Sequence, residues 1–337
     1  MEPITTPSDR DGIAYLYGHP LRNSLSPPLH QTVYNALGLN WTQIPLSTPN
    51  GTTYTKSPEI STFLSSIKAN PKFVGSSVTM PHKVAIMNHL DDLTEDARMA
   101  GACNTIFLRK AKGKREAEYE YVGTNTDCIG IREALVQNSP NGASHFRGKP
   151  ALIVGGGGTA RTAIYVLRKW LRVSKIYIVN RDEAEVSAIL AEDKARNPDS
   201  TTIAPLIPVP DPKTAVTLDA PVAIVSGIPN YPPTTESEIT ARETLLALLN
   251  AQTHSVDQGV ILEMCYHPSP WTEIAQMAVD ARWKVILGSE ALIWQGLEQA
   301  RLWTGTDVVN VPGLVEKVKG FVKSAVEERS RAAASNL

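Results

Sequence analysis

Cysteine is scarce in this 337-residue chain: Cys103, Cys128 and Cys265 are the only three, and their odd number and wide spacing exclude a disulfide framework. With no C-x-x-C pair and no histidine at metal-ligand spacing, no metal site is expected, and a reducing compartment fits. Charge of one sign is missing too. The 33 Lys and Arg against 34 Asp and Glu leave a net charge of −1, spread along the chain, which argues against a polybasic face for nucleic acid and against an acidic tail. No run approaches the roughly 18 apolar residues of a membrane span. The opening MEPITTPSDR lacks the basic-then-apolar pattern of a signal peptide, so the expectation is a cytoplasmic chain without membrane contact. No internal repeat is visible.

What is present points to a small-molecule partner and an α/β fold. The chain is 42% hydrophobic and long enough for about two domains with separate cores. Short β-rich runs alternate with segments of helical period. In the first half AYLYG, WTQIPLS, VGSSVTM, NTIFLRK and YEYVGTN read as strands. SPPLHQTVYNALG and SPEISTFLSSIKAN read as helices, each opened by a Ser able to cap the first N–H groups. The charged KAKGKREAE reads as a hairpin tip. From Ala151, ALIVGGGGTARTAIYVLRKWL and KIYIVNRDEAEV spell strand, glycine turn, helix, strand and helix, the layout of a nucleotide-binding half. The Pro-rich stretch from Ala204 to Thr235 reads as loops around one strand, PVAIVSG, before GVILEMC and WKVILG resume as buried strands.

In the glycine turn, Gly155, Gly157 and Gly158 form G-x-G-G, followed by Thr159 and Ala160. Glycine there lets the chain turn tightly so that the helix N-terminus can approach a pyrophosphate. A plain flexible turn is the alternative, and the strand before and helix after favour the nucleotide. After the second strand comes Asn180-Arg181-Asp182, with Glu185 beyond. A carboxylate at this place accepts hydrogen bonds from ribose hydroxyls, whereas a 2′-phosphate calls for cations, so Asp182 and Glu185 point to NAD while Arg181 pulls the other way. Lys83, two residues after Pro81, and Asp127, in GTNTDCIG, each follow a strand and could together handle a carbinol proton. Taken singly they read more readily as an exposed helix lysine and a helix N-cap, and composition and spacing do not overturn that reading.

Over about residues 12 to 307 the motifs, in order, resemble the shikimate/quinate dehydrogenase family. GHPLRNSLSPPLHQ is similar to its substrate-carboxylate motif and supplies Ser24 and Ser26. SVTMPHK supplies Thr79 and a catalytic Lys83, GACNTI supplies Asn104, and GTNTDCIG supplies Asp127 as the partner of the lysine. MCYHPSPWTEI carries Tyr266, and GSEALIWQGLEQARLWTG carries Gln295. The chain departs from NADP-using members at Asp182 and Glu185, where they have Thr and Arg, and from many members at Ser77 and Glu263, where they have Asn and Asp.

The resemblance implies a substrate domain over residues 1–128, a Rossmann-type NAD domain over 129–288, and C-terminal helices 289–337 returning to the substrate domain. The implied reaction is hydride transfer from the C3 hydroxyl of quinate, and of shikimate, to NAD. Ser24, Ser26, Thr79, Asn104, Tyr266 and Gln295 would bind the ring substituents. Competing readings are an NADPH-dependent biosynthetic shikimate dehydrogenase and a catalytically silent regulator, and retention of both Lys83 and Asp127 weighs against the second. His82, read as a helix neighbour of Lys83 turned away from it, and His19 and His30 are expected to be structural.

Overall fold

The computed structural model describes residues 4, 7–19, 21, 24–46, 48–50, 53–111, 119–198, 203–251, 259–265 and 271–334. The chain divides into two compact units, Met1–Asp127 with Leu292–Ala325, and Cys128–Ala291 with Val326–Leu337. The three boundaries, at Asp127/Cys128, Ala291/Leu292 and Ala325/Val326, therefore fall inside helices rather than in linkers.

The first unit contains β1 (Gly12–Tyr17), α1 (Ser26–Ala36), β2 (Trp41–Leu46), β3 (Thr48–Asn50), β4 (Thr53–Lys56), α2 (Ile60–Ala69) and β5 (Phe73–Val78). It continues through β6 (Asp92–Leu93), α3 (Glu95–Ala100), β7 (Thr105–Lys110) and β8 (Tyr119–Thr124) to the start of α4 (Asp127–Asn138). Its six-stranded sheet has the order β2-β1-β5-β7-β8-β6. Strands β1, β2 and β5 run parallel, and β7 is antiparallel to both β5 and β8. Because β7 is reversed, the start of β7 and the ends of β5 and β8 meet at one edge of the sheet. Tyr15, Tyr17, Phe63, Ile67, Phe73 and Ile106 fill the core beneath it.

The second unit contains β9 (Pro150–Val154), α5 (Gly158–Lys169), β10 (Lys175–Val179), α6 (Glu183–Arg196), β11 (Leu206–Pro208), α7 (Pro212–Ala215), β12 (Ala223–Ser226) and α8 (Glu236–Ala251). Then come β13 (Val260–Glu263), α9 (Glu273–Asp280) and β14 (Lys284–Leu287). The sheet is parallel throughout, in the order β11-β10-β9-β12-β13-β14. That is the doubly wound 3-2-1-4-5-6 order of dinucleotide-binding folds. Strands covered on both faces need apolar side chains on both, and β12 and β13 are buried along their whole length. Two long helices close the chain, α10 (Gly288–Thr304) and α11 (Leu314–Ala334). Among the described residues no helix is long and apolar enough to cross a membrane.

Several local expectations change. Neither Ser expected to open a helix caps one: α1 begins after Leu25 and α2 after Glu59, without a side-chain cap. Ser26 Oγ donates instead to Gln43 Oε1 at 2.9 Å, and Ser57 Oγ lies 2.5 Å from His82 Nε2. The run after Pro81 is a turn followed by a 3₁₀ segment at Ala85–His89, so His82 is not a helix neighbour of Lys83. The Lys83 carbonyl accepts from Cys103 N at 2.8 Å, which draws it away from a helical ladder. The Pro-rich stretch holds β11 and α7 as well as β12, because proline is tolerated at an edge strand and in a helix's first turn. Seven residues of the expected hairpin tip, 112–118, lie outside the described residues. The last turns, from Val326, group with the second unit rather than with the rest of the C-terminal helices.

Candidate active site

Lys83 and Asp127 meet at the sheet edge where β5 and β8 end. Their 44-residue separation closes because Val78 N donates to Asn104 O at 2.6 Å and Asn104 N to Thr124 O at 3.1 Å, which ties the three strand ends together. Lys83 Nζ donates to Asp127 Oδ2 at 2.5 Å, with the side chains 17% and 12% exposed. Asp127 is the first residue of α4, where a carboxylate also favours the helix dipole. A charge-assisted pair this close holds the ammonium in one place while leaving a proton to move.

Beside the pair stands a wall of neutral amides and hydroxyls. Asn104 Oδ1 accepts from Thr105 Oγ1 at 2.7 Å and Thr126 N at 2.7 Å, and its Nδ2 donates to Thr126 Oγ1 at 3.0 Å and Gln295 Oε1 at 3.3 Å. Four residues along α10, one turn from Gln295, Gln299 Nε2 donates to Thr105 Oγ1 at 2.9 Å. Gln299 Oε1 accepts from Ser77 Oγ at 2.9 Å and lies 3.0 Å from His30 Nε2. Ser77 Oγ in turn accepts from Gln43 Nε2 at 2.8 Å, and Gln43 Oε1 accepts from Ser26 Oγ. Ser24 Oγ accepts from Ser26 N at 3.2 Å, so its own hydrogen is not used in these bonds. One continuous network therefore joins Ser24 and Ser26 to Asn104 and Gln295. Thr79, half-buried, donates its N–H to Tyr17 O at 2.8 Å. Tyr266 lies outside the described residues.

Gln43, Thr105, Thr126 and Gln299 were not singled out in the sequence. A visible signal existed for Gln299, the helical spacing from Gln295. Gln43 sits in a strand, where a buried polar residue has no sequence mark of its own.

The histidines have other tasks. His82 stacks on Tyr17 with ring centroids 4.4 Å apart, and burial lowers its pKa. His30 is fully buried and burial pulls it down to about 4, against the opposing hydrogen bond to Gln299. Burial pushes the Cys103 thiol up to about 12, which removes it as a nucleophile at neutral pH.

In the second unit the glycine turn has the shape a pyrophosphate needs. Gly155 has φ of 122°, open to glycine alone, and a Cβ on Gly156 would lie 2.3 Å from Glu185 Oε2. Gly157, the N-cap of α5, provides no side-chain cap, and Gly158, Thr159 and Ala160 form the first turn, whose N–H groups are thus left to an anion. Asn180 Nδ2 donates to Glu185 Oε2 at 2.7 Å, which sets that carboxylate against the turn. Asp182 caps α6, its Oδ1 accepting from Ala184 N at 2.8 Å and Glu185 N at 3.4 Å. Arg181 is ion-paired to Glu238. These residues fit a dinucleotide: an uncapped helix start for the phosphates and carboxylates at the ribose end. Glu263, at the end of β13, is fully buried, accepts from Cys265 N at 3.0 Å and is pushed up to about 7 by burial.

Comparison with known proteins agrees. The chain is 79% identical over 337 residues, all of both chains, to a quinate dehydrogenase of Emericella nidulans. It belongs to the shikimate/quinate dehydrogenase family. Residues 16–106 match the model of the shikimate dehydrogenase substrate binding domain. Among solved structures, the dehydroquinate dehydratase and shikimate dehydrogenase from S. pombe AroM is 30% identical with a TM-score of 0.67, covering 91% of this chain and 53% of that one. A quinate dehydrogenase from Corynebacterium glutamicum in complex with NAD, 20% identical, shares the fold with a TM-score of 0.69 over 93% of this chain and 99% of that one. Family membership makes this chain an oxidoreductase with a Rossmann-type nucleotide-binding unit.

Proposed function

We propose that the protein oxidises quinate, and shikimate as a second substrate, at the C3 hydroxyl, with NAD as hydride acceptor. The observation that carries this reading is the 2.5 Å Lys83–Asp127 pair set beside a wall of neutral donors and acceptors. A polyhydroxylated ring carboxylate needs that division: neutral partners for several hydroxyls and one charged pair at the reacting one.

Asn104, Gln295 and Thr79 hold ring hydroxyls, and Ser24 and Ser26 take the carboxylate end. Lys83, with Asp127 fixing it, receives the proton that leaves the C3 oxygen; in the reverse direction the pair returns it. The proton passes on to solvent, so oxidation releases one proton overall, reduction takes one up, and the equilibrium shifts toward the ketone as pH rises. Gly155, Gly157, Gly158, Thr159, Ala160, Asn180, Arg181 and Asp182 would hold the NAD. When bound, the nicotinamide supplies the acceptor for the hydride leaving C3.

The preference for NAD rests on Asp182 and Glu185, whose carboxylates repel a 2′-phosphate. The preference for quinate rests on the relative's activity and on the extra C1 hydroxyl, which Ser24 can satisfy and which would otherwise be unpaired at a cost of about 1–3 kcal/mol. We further assign the substrate domain to residues 1–128 with the C-terminal helices, and a cytoplasmic location. A grid of kcat/KM values, quinate and shikimate each with NAD and NADP, tests the reading. Quinate with NAD should lead; a preference for NADP with strict use of shikimate would replace it by the biosynthetic enzyme.

A further inference from the structure

The adenosine end of the nucleotide fold contains an arginine whose charge is already taken. Arg181 lies two residues past the end of β10, the place from which an arginine reaches a 2′-phosphate in NADP-binding Rossmann folds, and it is the only cation in the segment NRDEAE. Its Nη1 donates to Glu238 Oε1, from α8, 57 positions away in sequence.

Glu238 is itself held firmly. Its Oε2 accepts from Thr234 N at 2.9 Å, Thr234 Oγ1 at 3.1 Å and Thr235 N at 3.0 Å, while Glu238 N donates back to Thr235 Oγ1 at 3.3 Å. Thr235 and Glu238 thus form a capping box at the start of α8. Those bonds keep the carboxylate ionised and well below its usual range, down to about 2. One oxygen caps the helix and the other faces the guanidinium. A second arginine shows the same arrangement: Arg161 chelates Glu192 at 2.7 and 2.6 Å and donates to Gly156 O at 2.7 Å. Carboxylates thus occupy both cations, while Asp182 and Glu185 add negative charge of their own.

We propose that Glu238 is a specificity-determining positioning residue that excludes NADP by occupying Arg181, the one cation at this turn able to receive a 2′-phosphate. Asp182 and Glu185 repel the phosphate, and Glu238 removes the group that would offset the repulsion. A 2′-phosphate must break the pair and leave Glu238 facing it; a ribose with free hydroxyls disturbs nothing. The inference rests on the nucleotide-binding reading of this unit.

Glu238→Gln separates charge from capping, because the amide oxygen still accepts from Thr234 and Thr235. Titration calorimetry on the full-length protein, with AMP and adenosine 2′,5′-bisphosphate as probes, gives the ratio of their Kd values without turnover. In Glu238→Gln the bisphosphate should gain on AMP by about threefold to fivefold at low salt, the scale of one exposed ion pair. The gain should fade at about 1 M salt, where screening reaches about 3 Å, and should vanish when Arg181→Gln is added. An unchanged ratio in Glu238→Gln, or the same gain without Arg181, overturns the proposal. Failure of AMP to bind wild-type protein would instead overturn the nucleotide reading beneath it.

Discussion

The Lys83 side chain is 17% exposed, and what fixes it is a single carboxylate, Asp127. Lys83→Ala should lower kcat for quinate oxidation by about 10²- to 10⁴-fold, the usual worth of a positioned acid/base group, with a smaller effect on KM. Asp127→Asn should weaken both, because the lysine loses its place as well as its charge partner. Steady-state kinetics on the two variants checks this, and near-wild-type turnover in Lys83→Ala would remove the lysine from the mechanism. These two residues were legible in the sequence because each sits in a short motif just after a strand. Gln43 and Gln299 were not. Amides inside a strand and a helix read as solvated positions until folding buries them, Gln43 to 4% and Gln299 to 1% exposure. Their role comes entirely from partners remote in sequence, Ser77 and Ser26 for one, Ser77, His30 and Thr105 for the other.

Elements set the site through where they stop. Strands β5 and β8 end at the edge where antiparallel β7 begins, and one helix, α10, delivers Gln295 and Gln299 to that edge one turn apart. Gln299→Leu keeps the helix but leaves Ser77 Oγ, His30 Nε2 and Thr105 Oγ1 short of partners. Buried polar groups left unpaired cost about 1–3 kcal/mol each, and Ser77 and Thr105 keep Gln43 and Asn104 as partners, so the variant should lose about 2–4 kcal/mol in denaturant unfolding and raise KM through the loosened Asn104. A variant as stable as wild type would show that the network does not join these groups. The repeating β-α rhythm of the second half made the Rossmann-type unit readable, since buried parallel strands are apolar throughout and the glycine turn marks the first crossover. Edge strand β11 and helix α7 escaped because prolines mask them, and the caps were misassigned because Ser26 and Ser57 spend their hydroxyls on side chains rather than on N–H groups.

At the scale of the molecule, one buried group in each unit links stability to pH, in opposite senses. His30, in the first unit, titrates near 4 in the fold against 6.5 ordinarily. Its contribution is complete above 6.5 and is lost as pH falls toward 4, because the unfolded chain binds the proton first. Glu263, in the second unit, titrates near 7 against 4.5. The fold there is favoured below 4.5 and loses stability as pH rises to 7, where the unfolded carboxylate ionises and the buried one does not. Glu263→Gln should therefore gain about 2–3 kcal/mol over wild type between about pH 5 and pH 8 in denaturant unfolding. A difference independent of pH would show that Glu263 does not titrate in this range. The proposed reaction moves one hydride, and that can be followed directly. With quinate deuterated at C3 and NAD as acceptor, the account predicts that the deuterium appears in the reduced nicotinamide, one per ketone formed. Reduced cofactor free of the label, or no reduced cofactor at all, would contradict it.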